Sequence, residues 1–293
     1  MFSILLTAFE EAHTVGLALE ALIPQLPKNA EIIAICPDAA TTAVIHQYQQ
    51  THSQIQHIAD QRQGKPAALN LGLEAAQHDL IIFTDGDIVV DSDAIEDLLK
   101  PFRDEQVGAV TGRPFSSSPR TTMLGYWSHL LVEGAHQERL RRHSDGQFLL
   151  CSGYLFACRK NLIEHIPEDA LAEDAVISHQ IAQQGYQIQY APKAAVFVKY
   201  PDNYADWLQQ KVRSAGGYAQ SYIRHSPFRM RSARLEAVRG TQTALRFAQS
   251  PKELGWTLRL FMARLHLWLL IFWRVRLLKR PLTQLWQPVQ STK

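Results

Sequence analysis

The chain has 293 residues, 46% apolar and 20% charged, the make-up of a folded globular protein of one large or two small domains and not of a disordered one. Its net charge of +2 conceals an asymmetry: residues 1–223 carry 16 Lys and Arg against 26 Asp and Glu, whereas residues 224–293 carry 14 against 2. Three cysteines, Cys36, Cys151 and Cys158, are odd in number and lack metal-ligand spacing, which argues against a disulfide framework and for a reducing compartment.

In chain order, Phe2–Leu6 is predicted as a buried strand. Met1 precedes it directly, with no basic leader region. Helices are predicted over Thr14–Leu26, Ala40–Gln50 and Pro66–Ala76, alternating with strands Glu31–Cys36, Ile55–Ala59 and Leu80–Thr84. Strand–helix alternation predicts an α/β fold with a mostly parallel central sheet between helices. A helix over Asp93–Phe102, a strand over Val107–Thr111 and a long helix over Thr121–His143 follow. Phe148–Arg159 reads as strand and turn, Glu173–Gln184 as helix, Gln187–Tyr190 and Ala194–Val198 as two strands, and Asp206–Arg224 as helix. After Pro227 the composition turns to arginine plus apolar residues, so the domain boundary falls near 224–230, with 1–224 an α/β unit and 225–293 a basic helical segment.

The sharpest chemical signal is Thr84-Asp85-Gly86-Asp87, two carboxylates just past a buried central strand. Ligands of open α/β sheets bind at strand carboxyl ends. Buried carboxylates there need a cation, and a hard divalent ion would serve both them and a diphosphate. Asp38 follows strand Glu31–Cys36, where it can meet a base or ribose or cap the next helix. Arg62-Gln63-Gly64-Lys65-Pro66 is a basic loop entering a helix N-terminus, a setting that favours anions but lacks Walker spacing. Glu173-Asp174 opens a helix whose N-terminus is expected to keep Asp174 ionised as a proton acceptor. Gln210 and Arg213 share a helix face. His129, Glu133 and His136 also share one, a weaker candidate for metal binding than for the polar side of an amphipathic helix.

Taken together, residues 2–220 resemble the inverting family 2 glycosyltransferases of the GT-A fold. Ile4 to Glu11 resembles the family's opening strand and turn, Gly64 to Asn70 its basic donor loop, and Asp85-Gly86-Asp87 its Asp-x-Asp motif. Ser152 to Arg159 resembles its acceptor-side strand, Glu173-Asp174 its Glu-Asp motif, and Gln210 to Ser214 its Gln-Arg-x-Arg-Trp motif. Thr7 and Glu10 stand where the family has Pro and Asn, and Ser214 where processive members have Trp, which favours a single transfer over polymer synthesis.

The resemblance implies displacement at the anomeric carbon of a nucleotide-diphosphate sugar, with inversion. Asp174 would be the catalytic base, with Glu173 beside it. Thr7, Ala8, Glu11, Asp38, Arg62, Lys65, Asp85, Gln210 and Arg213 would bind the donor, with Asp38 selecting uracil. Asp87 and Asp85 would hold Mg2+ or Mn2+. A nucleotidyltransferase of related fold and a non-catalytic membrane-bound scaffold are the alternatives.

Leu254–Lys279 is apolar and aromatic but interrupted by Arg259, Arg264, His266, Arg274 and Arg276. Its unbroken core, Leu265–Trp273, reaches about 14 Å at about 1.5 Å per residue, roughly half a bilayer core, so it is expected to be too short to span. Trp256, Trp268, Trp273 and Trp286 suit an interface, and the basic residues suit anionic lipid. The segment is thus expected to dock on an anionic membrane surface at the cytoplasmic face, bringing the enzyme to a lipid-linked or glycan acceptor; packing on the acidic catalytic domain is the rival. The Leu and Trp density argues against nucleic acid as a partner.

Overall fold

The computed structural model describes residues 1–217, 220–228, 240–241, 243–271 and 273. Four strands, β1 (Ser3–Thr7), β2 (Glu31–Ile35), β3 (Ile55–Ile58) and β4 (Leu80–Asp85), form a parallel block in the order β3-β2-β1-β4. Helices α1 (Val15–Leu22), α2 (Ala39–Gln49) and α3 (Lys65–Ala75) connect them. Next come β5 (Ile88–Val90), α4 (Ala94–Leu99), β6 (Val107–Ser116), α5 (Met123–Ser144), β7 (Leu155–Arg159), α6 (Glu173–Gln183) and β8 (Gln187–Val198). They extend the sheet to β3-β2-β1-β4-β7-β6-β8-β5, with β7 antiparallel to both neighbours and β6 parallel to β8. The predicted mostly parallel α/β sheet is present.

The period of two along β1 explains its burial on both faces. Ile4 and Leu6 enter one core layer with Val15 and Leu19 of α1. Leu5, between them, enters the other with Leu69 of α3 and Ile177 of α6. No residue of β1 can be polar without a partner. The exceptions have one: Ser3 donates to Glu31 at 2.6 Å, and Thr7 lies at the catalytic end.

Several boundaries differ from the sequence expectation. The predicted helix Thr14–Leu26 ends at Leu22 and tightens into a 3-10 turn over Ile23–Gln25, because Pro24 has no N–H for a continuing α-helix. Phe148–Gly153 is not strand; only Leu155–Arg159 pairs. The two strands expected over 187–198 are one, continuous through Pro192 by register shifts against β6. The helix expected over Asp206–Arg224 divides into α7 (Tyr204–Gly217) and α8 (Ser221–Arg224). At Gly217 a Cβ would come 2.7 Å from that of Ala172, so α7 packs tightly on the residue that precedes α6.

The last described helix, α9 (Pro251–Ile271), overturns one expectation. It runs 21 residues without a break through Arg259, Arg264 and His266, and by length and composition is long enough to cross a membrane. The run of uncharged residues understates a helix, since arginine continues one readily and can extend its head group to water. One face of α9 is docked: Leu260 and Ala263 pack with Tyr126, Trp127, Leu130 and Trp207 of α5 and α7. Arg120 binds Glu253 at 2.9 Å, Trp127 Nε1 donates to Trp256 O at 2.7 Å, and Tyr204 meets His266 Nδ1 at 2.9 Å. Trp286 and the remaining basic residues from Arg274 onward lie outside the described residues.

The tightest helix–sheet approach is at Gly108 of β6. A Cβ there would stand 2.6 Å from Ile181 Cγ2 and 2.7 Å from Tyr186 Cβ. Gly108→Ala is therefore expected to cost about 1–3 kcal/mol by overpacking, read from the urea midpoint at unchanged m-value.

Candidate active site

The site grows from the carboxyl end of β4. In the β1–β4 register Thr7 stands opposite Asp85, and Thr7 Oγ1 donates to Asp85 Oδ1 at 2.8 Å. Gly86 follows because nothing larger fits: a Cβ would lie 2.7 Å from Glu11 Oε2 and 2.8 Å from Ala8 Cβ. Thus Thr7, Ala8 and Glu11 of the first turn are folded onto the Asp85-Gly86-Asp87 turn. Gly64, with φ of +104°, turns the chain into α3, whose first residue is Lys65. Lys65 Nζ lies 2.6 Å from Asp85 Oδ1 and 2.9 Å from Glu173 Oε1. One ammonium thereby joins α3, β4 and the start of α6.

The electrostatics divide the carboxylates into two kinds. Burial alone would raise Glu173, but the Lys65 ammonium together with a backbone hydrogen bond and the charge of Arg213 outweighs it and holds Glu173 below its ordinary value. The same two carboxylates overcome the burial of Lys65 and raise its pKa. Asp87 is pushed up to about 6, chiefly by burial and next by the charge of Asp85; Lys65 and Arg213 offset this only in part. Asp174 is also pushed up to about 6, by burial and by Glu173. Its Oδ2 accepts from Gly153 N–H at 2.9 Å and its Oδ1 from Ala175 N–H at 2.8 Å. Those bonds do not outweigh burial beside a second carboxylate, although at about 6 Asp174 is still chiefly ionised at neutral pH. Asp174 is poised near neutrality, the range suited to a general base.

Arg213 of α7 completes the group, its charge acting on both Asp87 and Glu173. One turn earlier, Gln210 Oε1 is buried without a hydrogen-bond partner among the described residues, an acceptor facing no protein donor. Tyr154 and Tyr200, ring centroids 6.1 Å apart, stand beside Asp87, whose charge acts on both phenols. Sequence reading had not singled out either as a site residue; Tyr154 sits in the strand motif, whereas Tyr200 carries no motif at all.

Other expected residues take different places. Asp38 caps α2: Oδ1 accepts from Thr41 N–H at 2.9 Å, and Oδ2 accepts from Glu10 N–H at 2.7 Å and from the Cys36 thiol at 3.3 Å. Burial would raise it, but these bonds lower it to about 2. Glu10 is held at φ of +55°, which aims its N–H at Asp38. Asp38 thus serves as cap and turn anchor. Arg62 is exposed on its loop and is not among the partners of the carboxylate cluster. His129, Glu133 and His136 do not converge: they bind Ser118 O, Arg113 and Tyr190 respectively.

The all-oxygen donor set of Asp85 and Asp87 suits a hard divalent cation, and Asp87, raised by burial with no ion-pair partner, would gain from one. Among the described residues no three His, Cys, Asp or Glu side chains gather to enclose a metal ion. Such an ion would therefore take further ligands from the donor itself.

Residues 1–217 match the sequence profile described as Glycosyltransferase like family 2. The poly-beta-1,6-N-acetyl-D-glucosamine synthase of Staphylococcus aureus is 26% identical over 229 residues, covering 75% of this chain and 55% of that one. The synthase of the same name from Staphylococcus epidermidis is 26% identical over 231 residues, covering 76% and 55%. The chain thus spans about half the length of these relatives. Among solved structures, the mannosyltransferase PcManGT from Pyrobaculum calidifontis, in complex with GDP-Man and Mn2+, superposes with a TM-score of 0.64 at 18% identity, over 97% of this chain and 82% of that one. TarS residues 1–349 of S. aureus superposes with a TM-score of 0.51 at 14% identity, over 85% and 73%. With residues 1–217 matched to the family model and its sheet matched to GT-A enzymes, the chain belongs to the family 2-like glycosyltransferases.

Proposed function

We propose that this glycosyltransferase moves one sugar, with inversion, from a nucleotide-diphosphate sugar to an acceptor hydroxyl at the cytoplasmic face of a membrane. The observation that carries the reading is the convergence of Asp85, Asp87, Glu173, Asp174, Lys65 and Arg213 at one end of β4. It joins a diphosphate-binding cation pair to a base poised at about 6. Asp174 takes the proton of the acceptor hydroxyl as its oxygen attacks the anomeric carbon. Gly153 N–H and Ala175 N–H fix the carboxylate for that step. Lys65 and Arg213 receive the negative charge that develops on the departing diphosphate. Mg2+ or Mn2+ held by Asp87 and Asp85 would supply further neutralisation of that charge. The solved neighbour was captured with GDP-Man and Mn2+, which supports metal use here and makes GDP-sugars the rival to UDP-sugars.

The relatives are polymer synthases by name, whereas Ser214, in place of the processive members' Trp, supports a single transfer. We further read 1–224 as the catalytic unit and 225–293 as its membrane-docking segment. The ties from Glu253 to His266 hold one face of α9 on α5 and α7. A crossing helix would carry those elements into hydrocarbon. Lying in the interface plane, α9 keeps its docked face and offers lipid the other, where Leu258, Met262, Leu265, Trp268 and Leu269 are each more than half exposed. An acceptor carried by lipid or attached to a surface glycan would then meet Asp174 at that surface.

A panel of UDP- and GDP-sugars with Mn2+ tests the donor: turnover is expected to release the nucleoside diphosphate and a β- or α-linkage opposite to that of the donor. Released sugar 1-phosphate, with the nucleoside monophosphate passed to the acceptor, would instead mean nucleotidyl transfer. Product length separates one transfer from many. Asp174→Asn is expected to keep donor affinity and lower kcat by roughly 10²–10⁴-fold, the usual scale for a general base. Because the carboxylate forms are the working ones, kcat/KM should be full above about pH 6 and fall as pH drops through it.

Asp87→Ala should remove the metal-dependent part of donor affinity in calorimetry. The linkage sign gives an independent check. A carboxyl raised in the folded state makes ionisation cost stability as pH rises from its unfolded value toward about 6. Asp87→Asn should therefore raise the Tm of the ligand-free protein at neutral pH while activity is lost; a lower Tm contradicts this electrostatic account. For the membrane, the intact chain should float with anionic vesicles and the variant Met262→Glu/Leu265→Glu/Trp268→Glu should not, with Tm unchanged. Equal flotation of both would remove α9 from membrane docking.

A further inference from the structure

The carboxylate cluster explains one side of the cleft. On the acceptor side, α5 presents a basic stretch whose arginines are not alike. Arg141 pairs with Glu138 at 2.8 Å and Asp145 at 2.7 Å, and Arg142 with Glu138 at 2.8 Å. Facing the same helix from β6, Arg113 pairs with Glu133 at 3.3 Å and lies over the Phe115 ring. Arg139 has no ion pair, and its Nε is buried without a hydrogen-bond partner among the described residues. An unpaired N–H of a cation, shielded from water, is the kind of group that a native structure leaves unmade for a reason.

Its surroundings identify the side of the site it serves. One turn before it, His136 Nδ1 lies 2.7 Å from Tyr190 OH, and burial lowers the histidine, so that pair is neutral at physiological pH and does not compete for an anion. Burial raises the Tyr190 phenol to about 12, so it too stays neutral. The Arg139 charge acts on the thiol of Cys151, as does that of Asp174, and on the phenol of Tyr200, as does that of Asp87. Arg139 thus neighbours the loop Cys151–Gly153, which fixes Asp174, and the Tyr154–Tyr200 wall beside Asp87. The diphosphate cations Lys65 and Arg213 belong to α3 and α7, and Arg139 pairs with none of the carboxylates that they neutralise.

We propose that Arg139, with the Tyr190 and Tyr200 hydroxyls as neutral neighbours, forms an acceptor-side anion subsite that binds a phosphate or carboxylate group carried by the acceptor. This rests on the reading of Asp174 as the base. The acceptor hydroxyl lies at Asp174, its anionic group reaches the guanidinium, and an acceptor without such a group binds poorly. Arg is suited to the role because its planar donors match an oxyanion and stay charged at any physiological pH. A membrane phosphodiester-linked acceptor and a uronic-acid glycan share this chemistry.

The test follows the Arg139 Nε–H signal by NMR in full-length protein saturated with UDP and Mg2+, a diamagnetic ion that leaves the signal visible, so that the donor site is filled. Inorganic phosphate and glucuronate are titrated in separate arms, with glucose as the neutral control. The signal is expected to shift with either anion and not with glucose; the stronger arm identifies phosphate or carboxylate chemistry. Arg139→Gln should weaken that anion's binding at least tenfold while UDP affinity stays within twofold, and Arg139→Lys should restore it in part if charge is what matters. A signal unmoved by both anions overturns the proposal, as does an Arg139→Gln variant that binds them like wild type. Equal loss of UDP and anion binding would assign Arg139 to the donor site and overturn it as well. If wild type fails to bind any nucleotide, the donor reading falls, while an anion shift at Arg139 in that protein still establishes the subsite.

Discussion

A single ammonium, that of Lys65, lies between two carboxylates from distant parts of the chain, and the site is arranged around it. Asp85, Asp87, Glu173 and Asp174 are drawn together where water is scarce. Without compensation their mutual repulsion and desolvation would force the elements that carry them apart. Lys65 pairs with Asp85 and Glu173 and helps to hold Glu173 low, while Asp87 and Asp174 stay raised to about 6. Two cations, Lys65 and Arg213, among four carboxylates leave the ligand-free cluster short of positive charge.

The sheet order is what makes this geometry available. Pairing β4 beside β1 sets Thr7 against Asp85 and stacks the first turn on Gly86. Running β7 antiparallel beside β4 returns the chain to the same end, so that Gly153 emerges next to the β4 turn and holds Asp174. The close contact of Gly217 with Ala172 then packs α7 against the start of α6 and brings Arg213 over the carboxylates. Each step is a local packing requirement, and together they gather residues up to about 200 positions apart in sequence into one cleft.

Much of this was legible in the residues. Asp85, Asp87, Glu173, Asp174, Lys65 and Arg213 could be named because each sits at an element end, where spacing and chain order are visible. Ionisation was less legible: the helix N-terminus at Asp174 is a local property, but burial beside Glu173 is a tertiary one, and it dominates. Asp38 showed the reverse, since its local role as a cap governs its hydrogen bonds. The uncharged core Leu265–Trp273 understates the apolar length of α9, because arginine interrupts hydrophobicity and not helical backbone. Tyr200 carried no local signal because its place beside Tyr154 and Asp87 is set by tertiary packing alone.

The central claim, that the ligand-free cluster holds a proton which the donor and its cation displace, has a direct measurement. Binding of Mn2+ and a nucleotide sugar, which has no phosphate group titrating near neutrality, is followed by calorimetry in two buffers of different ionisation enthalpy. Near pH 6, where Asp87 is about half protonated, binding should release protons, so the heats should differ between buffers; in alkaline solution and in Asp87→Asn the difference should vanish. Heats that are independent of buffer near pH 6 would contradict the account.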